Sequence, residues 1–297
     1  AGTPHRTLVC YKETHANAKI DPLPNVWTGT WRDPRFSPPA DGGRPENALL
    51  GTIFTVNGIR NDALQVPEAD GKLRLWRNTS VATLTPGQVA TFGAGTLGFE
   101  WDEDLDNGFR PAGLVRFSTT TVSGVPLLQD YGSNYASGTA THHVLMHRRP
   151  NGAYVFSAGT VQWSWGLDAT HDKPGPAADL RIQQATTNLF ADLGVQPGTL
   201  QPGLVAAAAS TDGTDPVSVI VSPSSGSSVT SGVTTVVAGT ASDQGGRVGG
   251  IEISVDAGAT WHPAEGRETW SFVWVPEGTG TATILTRAVD DSGNLEN

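Results

Sequence analysis

A chain of 297 residues has room for about two domains of the usual ~100–200 residues. With 37% hydrophobic and only 16% charged residues, 36 Gly and 20 Pro, it fits a turn-rich, β-leaning globular protein and excludes a helical bundle or a disordered tail. A net charge of −10 and a pI near 5.1 disfavour nucleic acid and anionic lipid, and suit cations or neutral substrates.

The single cysteine, Cys10, excludes an internal disulfide and a Cys-based zinc cluster. No apolar run approaches the ~18–20 residues of a membrane span, and no leader pattern opens the chain. Leu8 to Tyr11 reads as a buried strand almost at the first residue, so Cys10 is expected to be buried and inert. A strand so close to a first residue that is not Met suggests a mature or excised piece of something longer.

Trp27 to Phe36 holds Trp27, Trp31, Arg32, Asp33, Pro34 and Arg35, too many aromatic and ionic side chains for a loose linker. Pro45 to Gly51 predicts one helical turn, and Ile53 to Val56 a strand. Short β-type runs follow at Lys72 to Trp76, Val89 to Phe92, Gly113 to Ser118, Thr141 to Met146 and Ala153 to Phe156, with Asn151-Gly152 as a hairpin turn. Asp179 to Leu193 is the one clear helix. Ile182, Ala185, Thr186, Leu189 and Leu193 share a face, Asp179 is placed to cap the start, and Gly194 closes the end. Strands with an amphipathic helix laid on them predict a mixed α/β or α+β body.

Residues 206–216, small and polar and ending at Pro216, read as a linker between a domain of 1–205 and one of 217–297. The second domain shows evenly spaced strands at Val217 to Val221, Val233 to Ala238, Gly250 to Val255, Trp270 to Val275 and Thr281 to Val289. That spacing predicts an immunoglobulin-like β-sandwich. Ser254 to Trp261 fits the Ser-x-Asp-x-Gly-x-x-Trp hairpin, whose role is structural.

The most chemical stretch is Thr96 to Gly108, where Glu100, Asp102, Glu103, Asp104 and Asp106 place five carboxylates in seven residues beside Phe99 and Trp101. Like charges so close repel unless a cation, basic groups or water separates them. Alternation would aim Glu100, Asp102, Asp104 and Asp106 one way, making them candidate metal ligands, with a solvated acidic loop as the alternative. Calcium is a candidate occupant, although the EF-hand pattern fails: counted from Asp102, the sixth position is Asn107 and the twelfth Gly113. His142 and His143 are candidate general bases. Adjacent strand residues face opposite ways, so they would not share an ion. His171-Asp172 follows the Trp163 to Asp168 run at a strand-to-helix junction. No Gly-x-Ser-x-Gly elbow, phosphate loop or His-Glu-x-x-His motif occurs.

The motifs at Arg6 to Glu13, Thr28 to Phe36, Pro45-Glu46-Asn47, Gly98 to Asp102 and Tyr154 to Asp168 together resemble the C-terminal part of the N,N-dimethylformamidase large (beta) subunit family, actinobacterial type, over roughly residues 1 to 200. Residues 217 to 297 are similar to the Ig-like dimerisation module of sulfite-oxidase-type molybdoenzymes. The resemblance implies a glutamine-amidotransferase-like α/β core and hydrolysis of a C–N amide bond. It also implies a mononuclear ferric ion held by two tyrosines and one glutamate. Only the glutamate carries over, to Glu100; the tyrosines would lie in motifs upstream of Ala1. The expectation is therefore an amidohydrolase-like protein or a fragment of one, extracellular or cell-surface in a bacterium, acting on a small amide or polymer. Trp31, Trp101, Trp163 and Trp165 are its substrate-binding candidates, and an upstream domain or a second copy its candidate partners. The rival is a non-catalytic exported module that binds a polymer, carbohydrate or protein through exposed members of Trp27, Trp31, Trp76, Trp163 and Trp165.

Overall fold

The computed structural model describes residues 6–7, 9–24, 29, 31–34 and 43–297. Leu8, Trp27, Thr28, Thr30, Arg35 and Phe36 of the sequence motifs lie outside the described residues. The front of the chain is built on a four-stranded antiparallel sheet. Its strands are β1 (Ile53–Asp62), β2 (Leu97–Glu103), β3 (Thr120–Leu128) and β4 (Tyr135–His142), in the order β2-β1-β3-β4. Strands β5 (Leu145–Arg148) and β6 (Tyr154–Ser157) form a hairpin in a smaller sheet with Val115–Arg116. Asn151-Gly152 makes the turn, with Gly152 at φ 86°, where a β-carbon would be strained.

Helix α1 (Leu180–Asp192) lies where its pattern predicts. The Asp179 side chain accepts from the Arg181 amide and Gly194 takes φ 75°, so both ends are closed by the residues the sequence offers. Ile182, Ala185 and Leu189 are buried, while Leu193 is exposed. Their face covers a core of Trp76, Phe92, Trp101 and Phe117, whose large side chains each contribute about 1.5–3 kcal/mol by leaving water.

Several expectations need correction. Lys72 to Trp76 is not a strand: a helical turn, Glu68–Gly71, runs into a 3-10 turn, Arg74–Trp76. There Leu75 and Trp76 are both buried by packing that strand propensity does not anticipate. Thr141 to Met146 is two strands broken at His143-Val144. Val9 to Tyr11 forms no strand, and Cys10 is exposed rather than buried. The body is mostly β, with a single helix longer than four residues among the described ones. Every ladder there is antiparallel, so the pairing gives an amidotransferase-like α/β core no support.

The C-terminal module is a two-sheet Ig-like sandwich. Strands β7 (Val217–Ser222), β8 (Thr235–Ser242) and β10 (Thr269–Trp274) form one sheet with Glu265–Gly266 at its edge. Strands β9 (Val248–Ser254) and β11 (Leu285–Asp290) form the other, with His262–Pro263. Val237, Ile251, Ile253, Trp270 and Ala288 fill the space between the sheets. In the Ser254 to Trp261 hairpin, Asp256 accepts from the Thr260 amide and hydroxyl, and Gly258 turns at φ 91°.

The module packs directly on the front sheets. Val289 belongs to the front core. A β-carbon at Gly249 would sit 2.9 Å from the Val115 side chain, and one at Gly250 3.0 Å from the Leu114 carbonyl. Glycine is what lets β9 approach this closely. Residues 206–216 have no regular secondary structure, yet they are tied down: the Ala208 carbonyl accepts from both Arg74 and Arg77.

Candidate functional site

The acidic stretch begins on β2, an edge strand of the main sheet. Trp101 points into the core, fully buried, donating from Nε1 to Asp62 at 3.2 Å and standing edge-on to His142 at 6.0 Å. Asp102 takes the opposite face, largely buried, where it accepts from Thr52 Oγ1 at 2.9 Å. That hydroxyl lies 2.7 Å from Ser157. Burial pushes the Asp102 carboxyl up to about 6, with the charges of Glu46 and Glu100 adding and the Thr52 bond and Arg32 opposing. Glu103 accepts the Thr141 amide at 2.6 Å and is likewise raised by burial.

Alternation stops with the strand at Glu103, and the remaining acids diverge. Asp104 turns inward to His143 Nδ1 at 2.6 Å, Arg116 at 2.8 Å and Arg110 at 3.6 Å. Burial alone would raise its pKa, but the His143 hydrogen bond and the two guanidinium groups hold it well below the carboxylate range. Asp106 lies 2.7 Å from His262 of the Ig-like module. Glu100 is exposed and, among the described residues, has no hydrogen-bond or ion-pair partner. Its charge reaches Asp102 and Tyr135, raising both. Glu100, Asp102, Asp104 and Asp106 therefore do not converge on one point among the described residues.

His142 and His143, on either side of the point where the strand ends, meet different partners. The His142 ring donates from Nε2 to the Ala158 carbonyl at 2.9 Å, and its Nδ1 is buried with no partner. Burial lowers its pKa to about 3, so it is neutral and sealed from any substrate. His143 is buried against Asp104. The tryptophans are equally scattered. Trp101 and Trp165 are buried, the latter stacked on His171 at 4.2 Å, and Trp163 donates to Thr186. Only Trp31, 74% exposed, offers an open face among those four.

Residues 1–176 match the N,N-dimethylformamidase beta subunit-like, C-terminal family. The chain belongs to that family. Residues 216–285 match a bacterial Ig domain. No curated protein matches the chain.

The residues present do not by themselves fit the ferric site that the family resemblance implies. Among the described residues, Glu100 belongs to no group of three or more acidic, histidine or cysteine side chains close enough to share an ion. Tyr135 bonds to Asn57, and burial together with the Glu100 charge opposes its ionisation.

Two features escaped the sequence reading. Glu252 of β9 accepts from Arg110 at 3.0 Å, the Gly113 amide at 3.1 Å and Arg287 at 2.8 Å, binding module to front domain. Asp212, Asp243 and Asp290 do converge, with one oxygen of each within 4.8 Å of the others. Neither has a local signal, because the partners come from segments far apart in the chain.

Proposed function

We propose that this chain is the scaffold part of an amidohydrolase-like protein of the dimethylformamidase type, acting in hydrolysis of a C–N amide bond only together with groups it does not itself supply. The observation that carries this reading is the division of labour in the acidic stretch. Asp102, Asp104 and Asp106 are engaged by Thr52, by Arg116 and His143, and by His262, whereas Glu100 faces solvent unpartnered among the described residues. An open carboxylate on a sheet edge is the one group here placed to meet a metal or a substrate held from outside. The fragment and amidotransferase-core elements of the expectation, an extracellular bacterial location and pairing with an upstream domain or second copy all belong to this proposal. Among the described residues, no helix is long and apolar enough to cross a membrane.

The rival, a binding module with tryptophan platforms, is less favoured because Trp76 and Trp165 of its candidate set are buried. The test is amide hydrolysis and iron content, measured on the chain alone and after adding the upstream part of the same protein. The expected result is no iron and no turnover alone, with both appearing in the combination and both lost in Glu100→Gln. Turnover by the chain alone, or full activity of the Glu100→Gln combination, overturns the proposal.

A further inference from the structure

The two sheets of the Ig-like module meet along a seam between β7, the edge strand of one, and β11, the edge strand of the other. At one end Glu296 closes that seam. Its amide donates to the Ala288 carbonyl at 2.9 Å. Its carboxylate accepts from the Ala288 amide on β11 at 2.8 Å and from the Ser218 amide on β7 at 2.9 Å. Leu295 bridges to Val289 beside it, so residues 295–296 cover the first part of the β11 edge.

Further along, the seam is open. Hydrogen-bonding direction alternates from residue to residue in an antiparallel strand. Ala288 sends its amide and carbonyl into the seam, so Thr286 and then Ile284 send theirs the same way. The Thr283 carbonyl, one residue out of step, accepts from Ala257 on the other side. Among the described residues no strand pairs with Thr286 or Ile284 there. Ile220 stands in the same relation to Ser218 on the facing edge. Thr286 Oγ1 is enclosed and also lacks a partner. A cleft of about 1000 Å³ opens at this point, with Ile220, Val229, Trp274 and Ile284 in its lining and Ser and Thr of two loops around them. Ile220, Trp274 and Ile284 are half-buried against the module core. The only charged residue lining the cleft is Glu277.

We propose that this seam takes an extended strand from another polypeptide, neutral or basic, with β-branched apolar side chains at every second residue. The unpaired backbone groups of Thr286 and Ile284 supply main-chain hydrogen bonds, which give strand addition its affinity. The strand continues the pairing that Leu295 and Glu296 begin. Side chains on one face of a strand recur every second residue, and that face settles on Ile220, Trp274 and Ile284 while the other meets solvent and the Ser and Thr walls. A strand of ~17–20 Å, the common length, is enough. Glu277 and the net charge of −10 disfavour an acidic strand. The cleft lies between loops 223–231 and 276–284, so the edge of a second folded copy does not reach its floor, whereas a single extended segment does. The site is separate from the acidic stretch of β2 and does not depend on the hydrolase reading.

The experiment titrates the whole chain with the blocked peptide Lys-Val-Thr-Val-Thr-Val-Thr, reading binding by calorimetry and amide hydrogen exchange by NMR. One peptide per chain is expected, with exchange of the Thr286 amide slowed at least tenfold. A peptide N-methylated at alternate residues, which cannot pair along an edge, is expected to bind at least tenfold more weakly, as is one with Glu in place of each Val. Ile284→Lys is expected to weaken binding at least tenfold. Because that change could loosen the module, Val229→Lys, on a loop, serves as the second variant and must also weaken it. Val273→Thr, on the outer face of β10, is expected to leave binding unchanged. The proposal is overturned by no binding at millimolar peptide, by equal binding of the N-methylated peptide, or by binding unaltered in both lysine variants. Loss of binding in Val273→Thr, or a dimer of the chain that protects the Thr286 amide without peptide, overturns it as well.

Discussion

Glu252→Ala is the perturbation that tests how the two parts of the chain are joined. The Glu252 carboxylate is 4% exposed and accepts from Arg110 Nη1, the Gly113 amide and Arg287 Nε at 3.0, 3.1 and 2.8 Å. Truncation leaves the Arg110 guanidinium, whose side chain is 5% exposed, with only Asp104 at 3.6 Å, and leaves the Gly113 amide without an acceptor. Removing one partner of a buried ion pair costs about 3–5 kcal/mol. At roughly 2–4 °C per kcal/mol for a chain of this size, Tm falls by on the order of 10 °C. Calorimetry should show the single transition of the parent splitting, with the Ig-like module and the front domain unfolding separately. Arg110→Met combined with Glu252→Met is expected to recover part of the loss, because the deeply buried Arg110 charge goes with its partner and only the part-exposed Arg287 and the Gly113 amide are left without Glu252. Sodium chloride at about 1 M should change the parent little, since a buried pair is poorly screened. A loss below ~1 kcal/mol in Glu252→Ala, or an equal loss in the parent at high salt, refutes this account of the joint.

Two titrations carry opposite signs. The fold holds His142 neutral, with its pKa lowered from 6.5 to about 3. The unfolded chain therefore takes the proton first, and stability is lost as pH falls from about 6.5 toward 3 at up to ~1.4 kcal/mol per unit. Urea midpoints for His142→Gln between pH 7 and 4 should fall less steeply than those of the parent; parallel acid limbs contradict a buried neutral imidazole. Asp102 is raised from 3.8 to about 6, so its ionised form is disfavoured in the fold above pH 6 and the penalty disappears below ~4. Asp102→Asn, which retains an acceptor for Thr52, is expected to gain up to about 3 kcal/mol at pH 7.5 and nothing at pH 4. A destabilised variant at pH 7.5 would show that the charge, and not its burial, is what the fold uses.

Much of the secondary structure was legible because it depends on near neighbours. Asp179 and Gly194 mark the helix ends, Asn151-Gly152 marks a hairpin, and the even strand spacing after Pro216 announces the sandwich, all through contacts within a few residues. Lys72 to Trp76 failed that reading because its burial comes from the helix and strands packed over it, not from its own alternation. The acidic stretch shows the same division. Sequence alone determined that five carboxylates crowd between Gly98 and Gly108 and that something must separate their charges. Which one meets Arg116, which His262 and which open water was decided only in three dimensions. Electrostatic partners are chosen by distance in space, and the residues that answer Asp104 and Asp106 include Arg116, His143 and His262, 12, 39 and 156 positions away along the chain.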